Sequence, residues 1–200
     1  MISAEDKAWE LLLRRSPADV ARCALTHADE PSGAFHLATL GTELKLDSSR
    51  KTIEPAAPGA GLMKQIGHFW RLTALWYLSS AQDLPLAGRL VAPQELNPGL
   101  AFFQGSHTLP LQRLADRFDG RTEDFLQAAG RLGGQRAEYG DAATVIPVFP
   151  RIPVTLILWH ADEEFPARAQ LLFDASVTNH LPVDAVWSAA MMTVLALMNG

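Results

Sequence analysis

The chain has a single cysteine, Cys23, among 200 residues. An internal disulfide is therefore excluded, as is any iron–sulfur cluster or four-cysteine zinc site built from this chain alone. Basic clusters are also missing. Beyond Arg14-Arg15 and Arg50-Lys51 no Lys/Arg run occurs, and the formal charge is -5, so there is no electrostatic footprint for nucleic acid. The apolar C-terminal stretch, Val183 to Met198, contains Asp184 and falls short of the ~20 residues a membrane helix needs, which predicts a core helix and no membrane partner. Its N-terminal counterpart, MISAEDKAWELLLRRS, carries acids where a signal peptide needs basic residues, so a cytoplasmic protein is expected. Internal repeats and low-complexity tracts are absent.

What remains is the composition of a globular protein, 48% apolar and 20% charged. At this length one domain spanning 1–200 is expected. Ser3 and Ser16 each precede a helical pattern with an acid three positions on, Asp6 and Asp19, and predict two short N-terminal helices within 1–30. Their expected buried faces are Trp9, Leu12 and Leu13, then Val20, Ala24 and Leu25. AFHLATLGTELKLD reads as a hairpin turning at Leu40-Gly41, with Leu37 opposite Leu44 and Phe35 opposite Leu46. A loop with a short strand at Thr52 to Ile53 follows, then one central helix from about Leu62 to Ser80.

Arg89 to Ala92 reads as a strand, and the segment through Phe102, Phe103 and His107 as irregular chain that could line a pocket mouth or merely pin a loop. Two helices come next, the first stopped by Asp119-Gly120 and the second capped by Thr122 and stopped by Gly133-Gly134. Beyond Gly140 the period changes to that of strands: Thr144 to Phe149, Ile152 to His160 and Ala167 to Asp174. The fold class expected is α+β, an antiparallel sheet with a C-terminal three-stranded meander packed against several helices; the early hairpin could join it.

The strand Ile152 to Trp159 is apolar on both faces, as an interior strand covered on both sides would be. A hairpin centred on Glu163-Glu164 sets Leu158 against Ala169, Leu156 against Leu171 and Val154 against Phe173. The same register puts Arg168 across from Trp159, for guanidinium stacking, and brings Asp174 near Arg151. The acids Asp162, Glu163 and Glu164 crowd the turn beside His160, and adjacent carboxylates need compensation.

Two readings of this turn compete. Either His160 and the acids bind a metal or a polar ligand, with His180 and Asp184 as additional donors, or one acid caps the turn, one pairs with Arg168 or Arg151 and one is solvated. No known catalytic pattern is present. HExxH is absent, the Gly130, Gly133 and Gly134 set does not follow a strand, and Ser106 and Ser176 lack a nucleophile elbow.

LGTELKLD, PLAGRLV, LGG at Gly133, GDAA at Asp141 and FPRIPVTLILWHADEEFPARAQLLFD, with Leu181-Pro182 and Asp184, together resemble the domain-of-unknown-function family 3786, from about Phe35 to the C-terminus. The resemblance brings no established reaction, cofactor or catalytic residue. Some members carry an added cysteine-rich iron–sulfur domain and come from anaerobic prokaryotes, which implies a role near redox or corrinoid metabolism; a cluster does not carry over to a chain whose only cysteine is Cys23. The family's most distinctive motif falls on Trp159, Asp162, Glu163, Glu164, Phe165, Pro166, Phe173 and Asp174.

The ligand-binding candidates are thus Trp159, His160, Asp162, Glu163, Glu164, Arg168 and Asp174. The function expected is a small-ligand, cofactor or metal-binding accessory protein. The rivals are a metal-assisted hydrolase with Glu163 or Glu164 as general base beside His160, and a homodimeric module burying a strand edge or the apolar C-terminal helix.

Overall fold

Seven α-helices and two antiparallel sheets make up the computed structural model, which describes residues 3–29, 32–96 and 108–199. Phe102, Phe103, Ser106 and His107 lie outside the described residues.

Helices α1 (Ala4–Leu13) and α2 (Pro17–Ala24) begin as their sequences dictate. The Ser3 and Ser16 hydroxyls accept the N–H groups of Asp6 and Asp19, satisfying donors the helix cannot. Trp9, Leu12, Val20 and Ala24 are buried, whereas Leu13 and Leu25 are about half exposed, against the expected faces. Leu25 ends α2 in a left-handed conformation, which swings its side chain off the helical stripe.

Strands β1 (His27–Asp29), β2 (Ala34–Thr39), β3 (Thr42–Asp47) and β4 (Thr52–Pro55) form the first sheet, in sequential order. Phe35 pairs with Leu46 and Leu37 with Leu44, the register the hydrophobic pattern requires. Leu40 and Gly41 both take positive φ at the turn, the geometry that matches the twist of a tight hairpin. This hairpin does not join the C-terminal sheet. It touches it where the Leu40 N–H donates to the Pro147 carbonyl.

The expected central helix is two helices, α3 (Ala60–Ile66) and α4 (Phe69–Ser80), broken at Gly67, whose φ of 79° no helix accommodates. The periodicity continues across the break because Ile66 and Trp70 both reach the core, so spacing alone does not reveal it.

The second sheet holds β5 (Leu90–Val91), β6 (Gln135–Ala137), β7 (Ala142–Phe149), β8 (Ile152–Trp159) and β9 (Arg168–Asp174), ordered β5-β9-β8-β7-β6. Strand β8 is central, and its pairing with β9 follows the expected register from Val154↔Phe173 to Trp159↔Arg168. As expected, both faces are covered along most of the strand: Val154, Leu156 and Leu158 are fully buried in the continuous core, and on the other face Thr155, Ile157 and the neighbouring Ala143 are buried as well. That outer face ends in half-buried Trp159 and exposed Arg168.

Helices α5 (Leu111–Phe118) and α6 (Thr122–Arg131) pack on β9 and β7, and α7 (Val183–Asn199) closes the chain. Ala185, Val186, Ala190, Met192, Val194 and Leu197 of α7 are buried against α3, α4, α5, α6 and β7, while Trp187, Ser188, Met191, Leu195 and Met198 form a half-buried stripe along the helix. Among the described residues no helix is long and apolar enough to cross a membrane.

Candidate functional site

Between β8 and β9 the chain must reverse while carrying three adjacent acids. It does so with a local device: the Asp162 carboxylate accepts the N–H groups of Glu164 and Phe165 at 2.8 and 2.7 Å, and the Asp162 N–H donates to the Phe165 carbonyl at 3.0 Å. These backbone donors hold the exposed Asp162 carboxyl below its ordinary pKa, despite a small opposing effect of burial. Glu163 and Glu164 are left in solvent, so the bend relieves carboxylate crowding by hydration and by N–H groups rather than by cations.

His160 is bonded at both ring nitrogens and at its backbone N–H. Its Nδ1 accepts the Gly120 N–H at 2.9 Å, which leaves the ring proton on Nε2 to be donated to the Thr122 hydroxyl at 2.8 Å. Its backbone N–H donates to Asp141 at 2.8 Å, and the Ala161 N–H donates to Asp119 at 2.9 Å. The imidazole thus pins the α5–α6 corner to the end of β8. Thr122, expected as a helix cap, lies inside α6, and Arg121 occupies the cap position.

Asp141 is brought to the same place by Gly140. Its φ is 55°, and a Cβ there would meet the Leu158 carbonyl oxygen at 2.7 Å and the Ile157 side chain at 2.8 Å, so glycine alone lets this corner press against β8. The Asp141 N–H then bonds to that Leu158 carbonyl at 2.9 Å.

Asp141, Trp159, His160, Asp162, Phe165, Pro166 and Arg168 line an open depression of about 390 Å³. The Arg168 guanidinium lies over the Trp159 indole, 4.4 Å from the ring centroid, an arrangement worth about 0.5–1 kcal/mol at an exposed site. Among the described residues no carboxylate pairs with Arg168. Phe165, 64% exposed, stands at the edge.

Of the seven expected site residues, Trp159, His160, Asp162 and Arg168 meet at this depression. Glu163 and Glu164 do not line it, so they cannot converge there with the His160 ring, whose nitrogens are already bonded. Asp174 lies at the far end of β9, roughly 20 Å away at the usual rise per residue. Asp141 completes the depression instead; the GDAA motif contained it, but nothing in its spacing tied it to the hairpin.

At that far end charge is handled differently. Asp174, 5% exposed, accepts the N–H groups of Ala87 and Gly88 at 2.8 Å and those of Ser176, N–H at 2.9 Å and hydroxyl at 2.6 Å. Burial pushes its carboxyl up, but these donors outweigh it and leave the pKa lowered. Arg151, whose charge like that of Asp174 reaches His180, pairs with Asp83 at 2.7 Å and donates to the carbonyls of Cys23, Leu84 and Arg22.

His180 is fully buried beside this network. Its Nδ1 accepts the Gln82 N–H at 3.4 Å, and among the described residues its Nε2 has no hydrogen-bond partner. Burial lowers its pKa, the Arg151 charge adds to that, and Asp174 opposes it. His180 is thus part of the structure of this end rather than a donor to the turn, and Asp184 lines a separate groove between α4 and α7. Among the described residues, no three His, Cys, Asp or Glu side chains are arranged to hold a metal ion.

The motif residues now have physical roles: Asp174 explains its coupling to PLAGRLV, and Arg151 explains FPRIP. Residues 16–196 match the family described as Domain of unknown function (DUF3786). The chain belongs to that family. Its match begins at the start of α2, about 20 residues earlier than the motifs alone suggest, and so includes Arg22 and Cys23, whose carbonyls accept from Arg151. No curated protein and no solved structure matches the chain.

Proposed function

We propose that the chain is a non-catalytic accessory protein that binds a small molecule in the depression between Asp141, Trp159 and Phe165. The observation that carries this reading is the Arg168 guanidinium: it lies over an indole, exposed, and unpaired with the carboxylates that share its depression. An exposed arginine next to acids ordinarily pairs with one of them or is left mobile in water. Here Asp141 and Asp162 are turned to backbone N–H groups, so both signs of charge are fixed in place and available.

The hydrolase reading lacks a comparable support, since Glu163 and Glu164 lie outside the depression and His160 is bonded at both ring nitrogens. The metabolic setting, cytoplasmic and close to anaerobic redox or corrinoid chemistry, rests on the family resemblance alone.

The test is a thermal-shift screen of small organic cofactors, metabolites and divalent metals against the parent protein and Arg168→Gln. The expected result is at least one organic compound that raises the parent's unfolding temperature and fails to do so in Arg168→Gln, while Glu163→Ala and Glu164→Ala respond like the parent. A screen with no stabilising compound, or one whose hits stabilise Arg168→Gln equally, overturns the proposal.

A further inference from the structure

We infer that the ligand of this depression is dipolar: a small molecule carrying an ammonium and a carboxylate beside an apolar or aromatic group. The inference rests on the binding reading above and names the chemistry that the site would select.

Three side chains lining the depression carry charge, Asp141 and Asp162 negative and Arg168 positive, and both ring nitrogens of His160 are taken up by Gly120 and Thr122. A simple anion could meet Arg168 but would face two carboxylates. A simple cation could meet those but would face the guanidinium. Like charges repel at close approach, so each single-signed ligand loses much of what it gains. A molecule with both signs meets each pole with its opposite.

The poles stay apart for identifiable reasons. Arg168 lies over Trp159, and the preceding residue, Ala167, is anchored through its carbonyl to Gln112 of α5 at 2.9 Å. Asp162 is bound by its own turn, and Asp141 by the His160 N–H. Each carboxylate has an oxygen that takes none of these bonds: Oδ2 of Asp162 and Oδ1 of Asp141. A bidentate guanidinium–carboxylate contact and ammonium contacts to these oxygens are the strong charge-assisted hydrogen bonds available. Phe165, exposed at the edge, supplies a ring for the apolar part.

Four probes separate the possibilities: phenylalanine, phenethylamine, phenylpropionate and N-acetylphenylalanine amide, which are dipolar, cationic, anionic and neutral around one phenyl group. Binding is read by proton–nitrogen correlation NMR on the Trp159 indole and the Phe165 and Arg168 signals. Phenylalanine is expected to bind about tenfold or more tightly than each of the others. Arg168→Gln should reduce it to the level of phenethylamine, and Asp141→Asn or Asp162→Asn to that of phenylpropionate. Asparagine can still accept the backbone N–H bonds, and an unchanged apo spectrum verifies that the fold is kept.

If phenethylamine or phenylpropionate binds as tightly as phenylalanine, or the probes perturb other residues, the dipolar assignment fails. If no probe binds while the thermal-shift screen yields an Arg168-dependent compound of another class, the assignment fails and the binding reading stands. If neither yields anything, both fail.

Discussion

The two ends of the β8–β9 ribbon carry the same kinds of residue and use them in opposite ways. At the Asp174 end, Arg151 and Asp174 are desolvated, and each is surrounded by hydrogen-bond partners from distant parts of the chain. At the turn end, Arg168 and Asp162 are exposed; one rests on a ring and the other on its own backbone. A buried charge with many partners holds a fold, because removing it leaves those partners unsatisfied in a medium that cannot replace them. An exposed charge held in place without a counter-ion contributes little to stability and remains available to a ligand.

The largest effect that would break this comparison belongs to Arg151. Arg151→Gln removes donors to the Cys23, Leu84 and Arg22 carbonyls and the pair with Asp83, and is expected to destabilise by about 3 kcal/mol or more in urea unfolding. A loss under about 1 kcal/mol would remove the distinction between the two arginines.

Next is Asp174→Ala, with an expected cost of about 2–3 kcal/mol from the orphaned Ala87, Gly88 and Ser176 donors. The pH dependence has a definite sign. The folded pKa of Asp174 is lowered, so its contribution is complete above the unfolded value of 3.8 and disappears as pH falls through the folded value. Stability of the parent measured below pH 4 should therefore drop more steeply than that of the variant.

His180 sharpens the same contrast at milder pH. With its folded pKa lowered from 6.5, the native state favours the neutral ring and the unfolded chain binds the proton. The stabilisation is full above pH 6.5 and declines as the pH falls from there toward the folded value. In His180→Leu, urea midpoints between pH 7 and pH 5 should fall less than in the parent; an equal fall would assign the acid sensitivity to other groups. The smallest expected effect is at the turn, where Glu163→Ala and Glu164→Ala should each change stability by less than about 0.5 kcal/mol.

Much of this was legible in the sequence, and the reasons are local. The alternation of Val154, Leu156 and Leu158 with Phe173, Leu171 and Ala169 admits one register, and the structure has it. Ser3 and Ser16 announce helix starts because the hydrogen bond they make spans only three residues. What was not legible depends on distant partners. Nothing in the chain near Thr122 points to His160, 38 residues away, and nothing near Asp174 points to amides 86 and 87 positions earlier. The acid-rich turn does border a depression, lined by Arg168, Trp159 and Asp141 but not by Glu163 or Glu164. Crowded charge in sequence shows only where compensation is needed; whether solvent, backbone or a ligand supplies it depends on the fold.

Thermal unfolding of Arg168→Gln, alone and with the compound that most stabilises the parent, tests the contrast between the two ends most directly. The expected result is an unliganded midpoint within about 2 °C of the parent and no rise on adding the compound. A variant that unfolds far earlier than the parent, or that the compound stabilises as strongly as it does the parent, would contradict the assignment of the turn end to binding.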